Sequence, residues 1–287
     1  MKKTQFLSVL ILSAIISTVL IFNQAIAGAK EKVRIEPGQI AHTFEGKVCK
    51  KLKMRYFLYL PMTYGKDKNK KWPVIVFLHG SGERGTKLSK VANCGLPRML
   101  KKAKNFPAIV ISPQCPANHW WNDIDVSLSV MAILKDVCKK YNVNPDRIYL
   151  TGLSMGGFGT WHLAQQYPNR WAALAPLCGS GNAWLQPRLK KIPTRVYHGA
   201  KDRNVPLAFG KLMYSALKDA GGQVKMTIFP DLAHNVWDKV YSMPEFWDWL
   251  FQQKRGQPDP TIKKKKTPVN DRLKNNSAGK AKTPARK

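Results

Sequence analysis

Two patterns of apolar residues alternate along most of the chain. Short continuous apolar runs, typical of buried β-strands, are separated by stretches in which apolar residues return at helical spacing, as Val130, Ile133 and Val137 do. The predicted strands are residues 55–60, 73–78, 108–112, 147–150, 171–178, 194–197 and 224–229. The predicted helices are residues 126–141, 158–166, 207–220 and 244–252. This alternation predicts an α/β fold with a mostly parallel central sheet and helices on both faces.

The N-terminus has the pattern of an export signal. Lys2 and Lys3 precede an apolar run over residues 6–22, and small residues follow at 25 and 27. We expect cleavage after residue 27 and a secreted or periplasmic protein. Because the apolar run is long, an uncleaved N-terminal anchor is the alternative.

Positive charge is the most unusual feature of the composition. The chain has 48 Lys and Arg against 17 Asp and Glu, a net charge of +31. Residues 254–287 hold many of these cations and little that is apolar, so they are predicted to be a disordered basic tail behind one folded domain, residues 28–253. Such a tail could hold an anionic glycan or lipid headgroup unspecifically, or only be solvated. No motif indicates a specific nucleic-acid partner.

The five cysteines all follow the signal segment, where disulfides can persist. The number is odd, so at least one is expected to be free. Cys94 and Cys115 follow neighbouring predicted strands and are the favoured pair. No cysteines have Cys-x-x-Cys spacing, and we predict no metal and no cofactor.

One segment combines a strand, a tight turn and a helix around a serine. Residues 148–157 run from an apolar strand into Gly152-Leu153-Ser154-Met155-Gly156, and a helix-compatible stretch follows at once. This is the context of a nucleophile elbow, in which the serine sits on a strained turn. A glycine-serine turn without chemistry is the alternative that a bare motif leaves open.

A serine hydroxyl needs a base to take its proton and an acid to orient that base. His234 lies in a loop after the last predicted strand, and Asp202 lies in the loop after the strand before it. The carboxyl ends of parallel strands meet at one edge of a sheet, so we predict a triad of Ser154, Asp202 and His234.

Three other residues are weaker candidates for the triad. His198 precedes Asp202 too closely and is interpreted as structural. Asp231 is the rival acid, although it lies very near His234 in sequence, and Asp238 ranks below it.

The glycine-rich residues 79–85 follow another predicted strand and could bring backbone amides close to a substrate. An oxyanion hole needs two such N–H groups. We predict Met155 as one donor and Ser81 as the other, with Gly80 or Gly82 possible in place of Ser81. A tight turn or a weak phosphate loop is the alternative, but the ending of a P-loop is missing.

Aromatic residues near the same strand ends could form pocket walls. We single out Trp121 and Trp237 as substrate-binding candidates, while core packing is the alternative for each tryptophan, Trp120 included. Glu83 and Arg84 could contact substrate or form a salt-bridged loop.

At these residues the chain resembles the α/β-hydrolase superfamily. Within it, the chain is similar to secreted bacterial serine esterases related to dienelactone hydrolases, polyhydroxybutyrate depolymerase-like and feruloyl-esterase-like proteins, some labelled predicted peptidases or phospholipase/carboxylesterases. The matching segments are residues 77–85, 144–157, 198–202 and 233–238. The resemblance implies Ser154 as nucleophile, Asp202 as orienting acid and His234 as base, and the basic tail has no counterpart in it.

These observations predict an α/β-hydrolase catalytic domain that cleaves carboxylic esters through an acyl-enzyme, with a small-molecule or polymer-borne ester as substrate. A serine peptidase with the same triad is the alternative in chemistry. A cationic surface-binding protein with a vestigial triad is the alternative from another class.

Overall fold

The computed structural model of the chain describes residues 38–47, 51–103 and 105–262, which build one eight-stranded sheet. Its strands are β1 (Gly38–Lys47), β2 (Lys51–Leu60), β3 (Trp72–Leu78), β4 (Ile109–Pro113), β5 (Val143–Leu153), β6 (Ala173–Leu177), β7 (Thr194–Gly199) and β8 (Val224–Phe229). Their order in the sheet is β1-β2-β4-β3-β5-β6-β7-β8. The β1/β2 and β2/β4 pairs are antiparallel, and all the other pairs are parallel.

Six α-helices accompany the sheet in the described ranges. They are α1 (Gly95–Leu100), α2 (Ile124–Lys140), α3 (Met155–Gln166), α4 (Leu207–Asp219), α5 (Trp237–Ser242) and α6 (Pro244–Gln252). Short 3₁₀ segments lie at Ser81–Glu83, Leu88–Asn93, Pro168–Arg170 and Ala183–Leu189.

The sheet separates two apolar cores because its central strands are buried on both faces. Along β3, Val74 and Val76 pack into one core, while Ile75 and Phe77, which point the opposite way, pack into the other. The first core is covered by α2, α3 and α4, and the second by α1, α5 and α6. The predicted fold class, an α/β-hydrolase fold with helices on both faces, is confirmed.

Three elements of the fold lack a clear sequence pattern. β1 is an edge strand with half-buried and exposed side chains, and the helices α1 and α5 have only six residues each. β5 is also longer than predicted, since it begins at Val143.

The prediction of a Cys94–Cys115 disulfide is wrong. Cys94, Cys115, Cys138 and Cys178, the cysteines in the part of the chain that the structure describes, are all free thiols. Cys115 belongs to the core on one face of the sheet and Cys94 packs against the core on the other, so the sheet stands between them.

Residues 254–262, which the sequence places in the predicted tail, pack on the domain. The Arg255 guanidinium bonds the Asp146 carboxylate at 2.7 Å. Asp259 is buried and accepts hydrogen bonds from the Trp249 indole at 3.0 Å and the Thr261 hydroxyl at 2.7 Å.

The predicted signal peptide, residues 1–27, and residues 263–287 of the predicted tail lie outside the described residues. Within the described ranges, every helix is too short or too polar to span a lipid bilayer.

The Asp259 contacts predict a stability effect from a residue expected to be disordered. Asp259→Ala leaves the buried Trp249 N–H without its acceptor, a loss of about 1–3 kcal/mol. We expect the melting temperature to fall by about 2–4 °C for each kcal/mol in a domain of this size, measured by calorimetry. Asp248→Ala, on the exposed face of α6, is the matched control and should melt like the unchanged protein. Equal melting temperatures for the two variants would contradict the packing of residues 254–262.

Candidate active site

Ser154 occupies a sharp turn between β5 and α3. Its backbone has φ 53° and ψ −120°, a conformation that residues other than glycine rarely adopt. The turn is held on both sides, since the Ser154 N–H donates to the Leu177 carbonyl at 2.9 Å and the Phe158 N–H donates to the Ser154 carbonyl at 3.1 Å. Such strain persists only where the surroundings fix it, and it is common at functional sites.

The two glycines of the motif are required by backbone contacts. A Cβ at Gly156 would lie 1.9 Å from the Leu78 carbonyl oxygen at the end of β3. A Cβ at Gly152 would lie 2.4 Å from the Gly156 carbonyl oxygen. Neither backbone partner can give way as a flexible side chain could, so both positions need glycine.

The predicted triad residues lie in one hydrogen-bonded row. His234 Nε2 is 2.8 Å from the Ser154 Oγ, and His234 Nδ1 is 2.7 Å from Asp202 Oδ2. Since the carboxylate accepts, Nδ1 carries the proton and Nε2 is free to accept the serine hydroxyl. This tautomer is the one that a general base requires.

Asp202 is fixed by backbone amides as well as by His234. Its Oδ1 accepts the N–H groups of Asn204 and Val205, each at 2.9 Å. Burial alone would raise the pKa of this carboxyl, but the hydrogen bonds from His234, Val205 and Asn204 outweigh burial and hold the pKa below its ordinary value. Asp202 is therefore a carboxylate at neutral pH.

None of the weaker candidates belongs to the row, although His198 Nε2 lies 3.4 Å from Asp202 Oδ2. The Asp231 side chain is 89% exposed, with its nearest ion-pair partner at Lys201. Asp238 pairs with Arg98. His198 is buried under the loop that carries Asp202, and its Nε2–H donates to the Val205 carbonyl at 2.8 Å, which agrees with a structural role.

Cys178 comes close to the triad without sharing its chemistry. Its thiol donates to the His234 carbonyl at 3.3 Å, and burial raises its pKa to about 12. Cys178, Asp202 and His234 each place one possible metal-ligand atom within 4.8 Å of the others. Asp202 and His234 bond each other at 2.7 Å, so both are already engaged in the triad.

The two predicted oxyanion donors both begin a helical segment. Met155 is the first residue of α3, and Ser81 is the first residue of the 3₁₀ segment Ser81–Glu83. The first N–H groups of a helix have no acceptor within it and point outward. Both residues line the same cavity as Ser154.

His79 fixes the loop that carries Ser81. Its Nδ1–H donates to the Gly80 carbonyl at 2.6 Å, and its Nε2 accepts the Cys115 N–H at 2.9 Å. Burial lowers the pKa of His79 to about 4, so the ring is neutral and keeps one tautomer. The Trp121 indole N–H donates to the His79 carbonyl at 3.0 Å.

Trp121 is therefore a support for this loop rather than a pocket wall. It is 1% exposed and packs its ring edge-on against His79, with the ring centroids 4.9 Å apart, so the prediction that it lines the cavity is wrong. The neighbouring Trp120 takes that place. Trp237 does line the cavity, and its ring stands at 89° to the His234 ring with centroids 5.4 Å apart.

The triad opens into a cavity of about 600 Å³ with a mixed lining. Besides the triad and oxyanion candidates, its walls are Gly80, Gly82, Glu83, Cys94, Trp120, Leu153, Phe158, Asn204, Val205 and Trp237. Burial raises the pKa of the Glu83 carboxyl, and it raises that of the Cys94 thiol to about 12. Phe158, Asn204 and Val205 had no sequence signal beyond following Ser154 or Asp202 closely.

Comparison with known proteins places the chain among esterases, the class that its sequence motifs predict. Residues 65–247 match the phospholipase/carboxylesterase family, and the chain belongs to that family. A carboxylesterase of Arabidopsis thaliana is 27% identical over 206 residues, which cover 60% of this chain and 88% of that protein. A solved structure of a thermostable esterase superposes with a TM-score of 0.66 at 31% identity, covering 76% of this chain and 63% of that one.

A shorter similarity reaches a much larger protein. A bifunctional acetylxylan esterase/xylanase of Neocallimastix patriciarum is 36% identical over 73 residues, 25% of this chain. The chain spans only 11% of that protein's length.

The buried neutral His79 predicts a pH dependence of stability. Its pKa is depressed, so the unfolded chain takes up a proton that the folded protein refuses as the pH falls from about 6.5 to about 4. We expect this group to lower the free energy of unfolding by up to about 1.4 kcal/mol per pH unit across that window. Denaturant unfolding at several pH values should show a shallower slope for His79→Gln than for the unchanged protein. Parallel slopes would mean that His79 titrates alike in both states.

Proposed function

We propose that this protein is a serine hydrolase that cleaves carboxylic esters through an acyl-enzyme. The single observation that carries the proposal is the continuous row of hydrogen bonds from Ser154 through His234 to Asp202. Membership of the phospholipase/carboxylesterase family supports an ester as the substrate.

In the first half of the reaction, the Ser154 Oγ attacks the ester carbonyl carbon while His234 Nε2 takes its proton. Asp202 stabilises the imidazolium that forms. Negative charge moves onto the former carbonyl oxygen, where the amides of Met155 and Ser81 would donate to it. The intermediate then collapses, the bond to the alkoxy oxygen breaks, and His234 returns the proton to the leaving alcohol.

In the second half, water replaces the alcohol. His234 takes a proton from the water as its oxygen attacks the acyl carbon, and the same amides hold the second oxyanion. The bond to Ser154 breaks, the serine recovers its proton from His234, and the carboxylic acid leaves. Trp237 stands edge-on to the imidazole and would help to keep the ring in place through both steps.

The intact row also favours an enzyme over a vestigial binding protein. Ser154 is held in a strained conformation, which is common at active sites. Export to the periplasm or the exterior is proposed on the N-terminal pattern alone, since those residues are not described.

The first test is replacement of the nucleophile. Ser154→Ala should lower kcat/KM for p-nitrophenyl acetate and butyrate by about a thousandfold or more, because loss of a triad nucleophile leaves only binding and oxyanion stabilisation. A fluorophosphonate probe should label the unchanged protein and not the variant.

Ser89→Ala, an exposed serine in the segment Leu88–Asn93, is the matched control and should keep full turnover and labelling. Undiminished turnover by Ser154→Ala would sink the assignment of the nucleophile.

A second test separates the two candidate acids. Asp202→Asn keeps the shape of the side chain but can stabilise the wrong His234 tautomer, so we expect kcat to fall by about 10³–10⁴-fold. Asp231→Asn changes an exposed carboxylate and should leave kcat within about twofold. Steady-state kinetics on p-nitrophenyl butyrate decides the matter, and the reverse pattern would make Asp231 the orienting acid.

A further inference from the structure

We propose that a second cleft beside the catalytic cavity binds an uncharged polysaccharide that carries the ester. This binding site rests on the proposed ester hydrolysis at Ser154. The substrate would be an acyl ester on a neutral glycan chain, with the acyl group at Ser154 and the neighbouring sugars in the second cleft.

The second cleft adjoins the catalytic cavity. It has a volume of about 660 Å³, and Trp120 and Phe158 line both spaces. A polymer bound at both places would pass along these two rings. An ester of a small alcohol would leave the second cleft empty.

The lining of the second cleft suits hydroxyl groups. Apart from the two shared rings it consists of Asn122, Asp123, His162, Gln165, Gln166, Ser180, Gly181, Asn182 and Leu185. Amides and a neutral imidazole offer donors and acceptors side by side, which is what a sugar with several hydroxyls needs. Burial lowers the pKa of His162, so at neutral pH its ring is neutral and has one hydrogen-bond donor and one acceptor.

The charge of the lining argues against an anionic ligand. The chain has 48 Lys and Arg, yet none of the described residues that line either cavity is one of them. A site for phosphate headgroups or nucleic acid would concentrate cations beside the ligand. The Arg84 guanidinium lies over the Trp120 ring but lines neither space, so both linings are suited to neutral groups.

Trp120 lies at the junction, partly covered and partly exposed. The residue is 48% exposed, and the Arg84 guanidinium lies over its ring with Cζ 5.2 Å from the centroid. The Arg84 guanidinium donates to the His119 carbonyl, and the Trp120 backbone N–H donates to the Asp123 carboxylate. A fixed, exposed ring at the mouth of a polar cleft is suited to stacking against the apolar face of a sugar.

The test compares a polymer with a small ester on the full chain. The double variant Asn122→Ala/Gln166→Ala changes two exposed residues of the second cleft. We measure kcat/KM for acetylated glucomannan, an uncharged polymer, and for p-nitrophenyl acetate. The kcat/KM for the polymer, divided by the kcat/KM for p-nitrophenyl acetate, should fall about tenfold in the variant because hydrogen bonds to the sugars are lost.

The matched control is Asn69→Ala/Gln252→Ala, which makes the same exchanges at exposed positions outside both cavities. It should leave the ratio unchanged. As a measurement without turnover, Ser154→Ala should be retarded by glucomannan in native affinity electrophoresis at high salt, and adding Trp120→Ala should abolish the retardation.

The outcomes separate the two proposals. If the unchanged protein hydrolyses p-nitrophenyl acetate and Ser154→Ala does not, the proposed function stands, and an unchanged ratio in the cleft variant then overturns the polysaccharide site alone. If the unchanged protein hydrolyses neither ester, the proposed function fails. Faster cleavage of poly(3-hydroxybutyrate) particles than of the polysaccharide, lost in the same double variant, would replace the glycan by an aliphatic polyester.

Discussion

The close approach of helix α3 to the end of strand β3 is the contact on which the site depends. Gly156 lies so near the Leu78 carbonyl that no side chain fits between them. This contact places the first turn of α3 directly above the sheet, so the Met155 amide and the Ser154 hydroxyl face the same cavity as the loop that follows β3. A larger residue would move the helix, and the Ser154 hydroxyl and the Met155 amide would move with it.

The parallel order of the strands brings the remaining groups to that point. β3, β5, β7 and β8 all end at one edge of the sheet, and the loops after them carry Ser81, Ser154, Asp202 and His234. Residues far apart in sequence thus meet without any element designed only to join them. Each is then fixed locally: Asp202 by two backbone amides and the Ser81 loop by the buried ring of His79.

The sequence was informative where a feature is local and less so where it depends on packing. The strands β3 and β8 are continuous apolar or β-prone runs, and the glycines around Ser154 mark a tight turn within five residues. The edge strand β1 has mixed exposed and half-buried positions, and residues 254–262 are polar. Residues 254–262 are ordered by contacts with distant partners such as Trp249 and Asp146, and no local sequence pattern predicts those contacts.

The adjacent tryptophans 120 and 121 show why a site's walls are harder to predict than its reacting groups. Both have the same chemistry and the same place in the sequence, so composition and spacing cannot rank them. The indole of Trp121 reaches the His79 carbonyl beneath the oxyanion loop, and the backbone then directs Trp120 outward over the junction of the two cavities. One ring supports the loop that carries Ser81, and the other faces both cavities. Because the two residues are adjacent, the substrate recognition that we propose at Trp120 is tied to the same packing that supports the loop of Ser81.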